Sequence, residues 1–179
     1  MQTEAQFVFM NIRLSTQNDI PAIMNIVNQA KEQLRNLGVD QWQLGYPNEE
    51  VISSDIAISA SYVLESGESI LSSLMIMRAP EPTYHTIFEG EWLNNFPYVS
   101  IHRVCVDSTL SKRGLASFLM SGAEDIVRNM NIFNIRIDTH PDNMPMRRLL
   151  EKLGYRYCGV VYMPPQENNA KRIAFQKTL

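Results

Sequence analysis

The hydrophobic positions of the chain fall into two rhythms, one of alternation and one of three- and four-residue steps. Phe7 to Leu14 reads as a first strand. Asn18 then caps a helix with Pro21 in its first turn. Its apolar face is Ile20, Ile23, Met24, Val27, Leu34 and Leu37, and Gly38 stops it. A loop with Trp42 and Tyr46 follows, and Asn48 opens a short helix to about Ser59. Ser61–Leu64 and Ser69–Met77 read as a hairpin across Glu65-Ser66-Gly67-Glu68. Tyr98–Val106 reads as a central strand. The next helix should bury Leu115, Leu119, Gly122, Ile126 and Met130. Ile132–Thr139 is another strand, and Asn143–Leu153 a helix with Met146, Leu149, Leu150 and Leu153 inward. Gly154 stops that helix; Tyr155–Met163 and Lys171–Lys177 form a final strand pair. The order β-α-α-β-β-β-α-β-α-β-β predicts a mixed α/β sheet without the regular alternation of a doubly wound fold.

A long segment, Ala79 to Pro97, separates the hairpin from the central strand and holds His85, Phe88, Glu91 and Trp92. Connections of this length are functional or disordered, and the aromatics argue against disorder.

Composition narrows the class. The chain has 179 residues, which suits one domain spanning 1–179. The net charge of −3 argues against a nucleic-acid surface. No run approaches the length of a transmembrane span, and the N-terminus has no basic, apolar leader pattern. Cys105 and Cys158 lie in apolar strand-like runs and read as reduced core thiols of a cytoplasmic protein. No spacing of cysteine and histidine fits a metal site.

The candidate chemistry sits between the central strand and the helix after it. The turn Ser111-Lys112-Arg113-Gly114-Leu115-Ala116 places small residues and two cations at a helix start. A helix start has unpaired N–H groups and about half a unit of positive charge. Gly114 and Ala116 let a ligand approach the backbone. The expectation is a cradle for a diphosphate at the end of a strand. In an ordinary turn Lys112 and Arg113 would be a solvated pair.

These residues carry a family resemblance. Val104-Cys105-Val106 followed by Ser111–Ala116 is similar to the strand and glycine turn of the GNAT superfamily of acyl-CoA N-acyltransferases, small bacterial single-domain members included. Asn143 with Leu149-Leu150-Glu151-Lys152-Leu153-Gly154-Tyr155 resembles its second segment. Two motifs in matching strand–helix contexts are far more specific than one glycine turn. The chain departs at Ser111, where the family usually has glutamine or arginine, and at Leu150, where it often has an acidic tyrosine.

The resemblance implies a mostly antiparallel sheet splayed at the cofactor strand and flanked by about four helices. It implies acetyl-CoA as co-substrate, no metal, and a primary amine of a small molecule or peptide as acceptor, attacked directly in a ternary complex. It allows a homodimer and gives no membrane or nucleic-acid partner. Val104, Cys105 and Val106 would pair with the pantetheine arm, the Cys105 N–H holding the thioester oxygen. Lys112 to Ser117 would hold the diphosphate, with Ser111 the weakened position, and Asn143 would touch the arm. Without a tyrosine at Leu150 the thiolate, with a pKa of about 8.5, leaves largely unaided. Alternatives within the fold are another short acyl donor, or a CoA-binding sensor or interaction module without turnover.

An ammonium with a pKa of about 10.4 needs roughly 4–5 kcal/mol to lose its proton at pH 7, so a base helps. His102, two residues before Val104, would share its face on a regular strand; the plainer reading is a hydrogen-bonded structural histidine. Glu91, from the long segment, is the second candidate base, and Glu89 and Glu91 facing the pocket would favour a cationic acceptor. Trp42, Tyr46 and Trp92 would line the acceptor pocket or simply anchor loops. Tyr155, Tyr157 and Tyr162 are candidate replacement acids or sheet residues, His140 a loop residue near the cleft. Cys105 reads as a small buried residue rather than a nucleophile.

Overall fold

The computed structural model describes residues 9–110, 114–167 and 170–179. Ser111, Lys112 and Arg113 of the glycine turn, and the first residues of the predicted first strand, lie outside them. The first strand, β1, is Met10–Leu14. The helix α1, Ile20–Asn36, starts one residue later than Asn18 would set it: its N-cap is Asp19. A 3₁₀ turn at Gln17–Asp19 intervenes, because Asp19 closes a capping box with Thr16. Asp19 also takes two bonds from Arg13, at 2.7 and 2.9 Å. Ile20, Ile23, Ile26, Val27 and Leu34 are buried, whereas Leu37 at the C-cap is exposed. The helix α2 is Glu49–Ala57, and its cap Asn48 accepts from the Val51 N–H at 3.0 Å.

The strands β2 (Ser61–Ser66) and β3 (Ser69–Met77) form the expected hairpin, and β4 is Val99–Val106. The helix α3 is Leu115–Asn129, β5 is Asn134–Thr139, and α4 is Met144–Lys152. The chain ends with β6, Arg156–Tyr162, and β7, Lys171–Thr178. The inward stripe of α3 is Leu115, Leu119, Met120, Ala123 and Val127, rotated from the predicted one. Gly122 instead lies against Ile12 of β1, where an added Cβ would fall 2.2 Å from Ile12 Cδ1.

The seven strands form one sheet in the order β1-β2-β3-β4-β5-β7-β6. Every neighbouring pair is antiparallel except β4 with β5. That parallel pair is short: Val99 faces Ile135 and Ser100 faces Arg136, and the pairing stops there. From Ile101 onward the β5 side of β4 has no strand partner among the described residues.

The register also breaks on the other side of β4. Met75 sits opposite His102 and Ser73 opposite Cys105, so two steps on β3 match three on β4. Arg103 takes up the extra residue at φ 55°, a β-bulge. The core under α3 and α4 holds Ile101, Ile135, Ile137, Leu150 and Phe175, with Val104 and Val106 packed against it. Across the sheet, α1 and α2 cover Val63 and Cys105.

The segment from Arg78 to Tyr98 is pinned along this second face. Phe88 and Val160 exchange two backbone bonds, at 2.8 and 2.7 Å. The buried Tyr84 donates to Asp138 Oδ2 at 2.7 Å, and Trp92 Nε1 donates to the Tyr84 carbonyl at 3.0 Å. The Arg136 guanidinium stacks between Trp92 and Tyr98, 4.2 and 4.0 Å from the ring centres.

Candidate active site

Where β4 and β5 part, a cavity of about 910 Å3 opens. Its wall includes Val104, Cys105 and Val106 of β4, Gly114 to Ser117 at the start of α3, and Asn143 before α4. These residues are separated by up to thirty-nine positions in sequence, and the divergence of the two strands brings them together.

The described residues fit a long ligand with an anionic end. Gly114 caps α3 at φ 76° and lines the cavity, so the positive end of the helix meets it. Among the described residues beyond its chain neighbours, none places an atom within 4 Å of where its Cβ would be. Lys152, in the last turn of α4, brings its Nζ to 3.5 Å from Ser117 Oγ, and Arg148 also lines the cavity. Sequence reading missed both cations; their i, i+4 spacing on α4 was the available signal. Asn143 is committed to its helix: Oδ1 accepts from Met146 N–H at 3.3 Å, and Nδ2 reaches Gln41 Oε1 at 3.4 Å.

The ladder corrects one expectation about β4. The Asp107 N–H donates to the Leu71 carbonyl at 2.9 Å, so amides two residues apart from it point into β3. Cys105, directly opposite Ser73, is one of them. Its N–H is therefore turned away from the open edge, and the amides of Val104 and Val106 face that edge. The Cys105 thiol, 3.4 Å from Ser73 Oγ, is pushed up to about 11 by burial. It is a packing thiol, as expected.

The bulge corrects a second. His102 does not share a face with Val104. Val104 belongs to the side covered by α3 and α4, whereas His102 stands beside Tyr84 and Glu81 on the other. His102 Nε2 lies 3.3 Å from Glu81 Oε2, and both residues line the cavity. The imidazole beside it holds Glu81 below the usual carboxylate range. Sequence reading missed Glu81; its place just before Pro82, as the cap of a 3₁₀ turn, gave little signal.

Next to His102, Arg103 makes two 2.7 Å bonds with Asp55 and donates a third to the Tyr46 hydroxyl. Burial raises the Asp55 pKa and the Tyr46 pKa, and Arg103 opposes both. Trp42 and Tyr46 line the cavity, consistent with the pocket reading of those two aromatics.

Other candidates lie elsewhere. Glu91 is exposed and Trp92 is stacked on Arg136 and Tyr84; neither lines the cavity, because the segment carrying them is tied to β5, β6 and β7. Glu89 is exposed, 3.3 Å from Lys171. Tyr155 is buried beneath Lys177, while Tyr157 and Tyr162 pack edge-on against Phe175 and Phe88. His140 Nε2 lies 3.1 Å from Asp40, outside the cavity wall. Leu150 is fully buried in the core and does not reach the cavity. Among the described residues no cluster of histidine, cysteine or carboxylate could hold a metal, and no helix is long and apolar enough to cross a membrane.

Comparison with known proteins follows the same lines. The model of the acetyltransferase (GNAT) family matches residues 31–155. A GNAT-family acetyltransferase structure from Streptococcus agalactiae 2603 is 33% identical, with 95% of each chain covered and a TM-score of 0.86. A proposed acetyltransferase from Staphylococcus aureus Mu50 is 26% identical, covers 93% of this chain and 97% of its own, and has a TM-score of 0.69. A PaiA N-acetyltransferase from Thermoplasma acidophilum, in complex with coenzyme A, shares the fold at 11% identity, with 96% and 100% covered and a TM-score of 0.69. No curated protein matches the chain.

Proposed function

The chain belongs to the acetyltransferase (GNAT) family, and from that premise we propose that it transfers an acetyl group from acetyl-CoA to a primary amine of a small molecule or peptide, in a cytoplasmic setting. The observation that carries the reading is the open inner edge of β4, which runs along a cavity with the start of α3 at its wall.

The bound donor would supply an activated acetyl carbon and a thiolate leaving group. The Val104 and Val106 amides would hold the thioester oxygen and the arm that carries it. The start of α3, from Gly114 to Ser117, would hold the diphosphate, with Lys152 and Arg148 adding charge. His102 would take a proton from the acceptor ammonium, and Trp42 and Tyr46 would wall the acceptor. Alignment of two bound reactants supplies much of the acceleration without a covalent enzyme intermediate.

The test is calorimetric titration of the full chain with acetyl-CoA and with CoA, followed by a thiol-release screen of primary amines. Micromolar binding with turnover of at least one amine supports the enzyme. Binding without turnover on any amine turns the reading to a CoA-binding sensor or interaction module. Absence of binding overturns both.

A further inference from the structure

His102 Nε2 is buried and has no aligned hydrogen-bond partner among the described residues. The carboxylate nearest to it is Glu81, with Oε2 3.3 Å away. That carboxylate is itself held. Its Oε1 accepts from the Thr83 N–H and Oγ1, at 3.3 and 3.1 Å, and the Glu81 N–H donates to the Tyr98 hydroxyl at 3.3 Å. Pro82 fixes the turn that follows. Oε2 is thus left for the imidazole.

The other groups around His102 are matched or remote. The Tyr84 ring is centred 6.2 Å away, and its hydroxyl is spent on Asp138. Asp55 acts on His102 at longer range and is neutralised by Arg103. Among the described residues only Glu81 brings a carboxylate oxygen within 4 Å of the imidazole.

We propose that Glu81 is a positioning residue: it holds the proton of neutral His102 on Nε2, leaving Nδ1 as the nitrogen that accepts a proton from the acceptor amine. The inference rests on the reading of His102 as the base. The proton passes from the ammonium to Nδ1, and the charge it brings to the ring is stabilised by Glu81. His102 then releases it to solvent before the next turnover. Glu81 remains a carboxylate throughout.

The test is nitrogen-15 NMR of the imidazoles in the full chain, with H102Q used to assign His102 among the three histidines. The wild-type ring should be the Nε2–H tautomer. E81Q, whose amide can donate as well as accept, should lose that preference, so that a measurable share of the rings carries the proton on Nδ1. E81A should do the same and serves if E81Q folds poorly. A wild-type Nδ1–H tautomer, or a tautomer that neither variant changes, overturns the role of Glu81. A separate measurement tests the base: if H102Q leaves the pH profile of acetyl transfer unchanged, the reading of His102 falls and the positioning role with it, whatever the NMR shows.

Discussion

Arg103 binds Asp55 through two parallel 2.7 Å bonds, and it can do so because the bulge in β4 turns its side chain to the α2 side. The pair is mostly buried, at 12% and 9% side-chain exposure. Removing one member leaves the other charged and dry. R103A should therefore destabilise the fold by about 3–5 kcal/mol, as breaking a buried pair does. Urea unfolding checks it. A double D55L/R103L variant should recover most of the loss, and equal losses in single and double variants would mean that the pair is not the unit of stability.

A glycine at φ 76° sets the start of α3. G114E would force a side chain into a left-handed conformation and place a negative charge where the helix offers positive partial charge. Affinity for CoA should fall at least tenfold by calorimetry, while stability falls only by the roughly 1–2 kcal/mol that a left-handed side chain costs. Undiminished binding would remove the α3 terminus from the cofactor site.

Lys152 gives a milder and more specific result. K152Q should weaken CoA binding by a few fold, and the difference should shrink with added salt, as charge contacts do. A salt-independent difference would assign the effect to packing.

The Asp19–Arg13 pair predicts an acid limb. Arg13 holds the Asp19 carboxyl down at about 2, with its hydrogen bond the leading cause. A depressed carboxyl stabilises the fold above its unfolded value of about 3.9 and loses that contribution as pH falls towards 2. The contribution is about 2 kcal/mol at neutral pH. D19N should flatten the fall in urea midpoint between pH 5 and pH 2.

Cys105 should be dispensable. With its thiol pushed up to about 11 it has almost no thiolate at pH 8. C105A should keep kcat within about threefold, and alkylation of the native protein should be slow. A loss of several orders of magnitude would reopen a nucleophilic role.

The strands and helices were legible because burial imposes their periods directly: the hairpin Ser61–Met77 and the helices after Asn48 and Asn143 follow the predicted patterns closely. The strand before the glycine turn and the helix after it were legible too, since each pattern is local in sequence. What failed was everything that depends on register. His102 and Val104 are two residues apart, and a regular strand would put them on one face. One inserted residue at Arg103 reverses that, and nothing in its neighbours announces a bulge. Trp92 and Glu91 looked available in a long segment, yet Arg136 on β5 captures the tryptophan through the ring face, a contact forty-four positions distant. Glu81 was invisible for the same reason: its meaning comes from a histidine on another strand.

The short parallel pairing of β4 with β5 has one more consequence. An unpaired strand edge is a hazard for most sheets, because it invites the edge of another chain. Here the unpaired stretch lies in the middle of the sheet rather than at its rim, in a wedge walled by α3 and α4. A slender arm can enter such a wedge, but a second sheet cannot. The same geometry that leaves backbone groups open for a ligand therefore shields them from self-association.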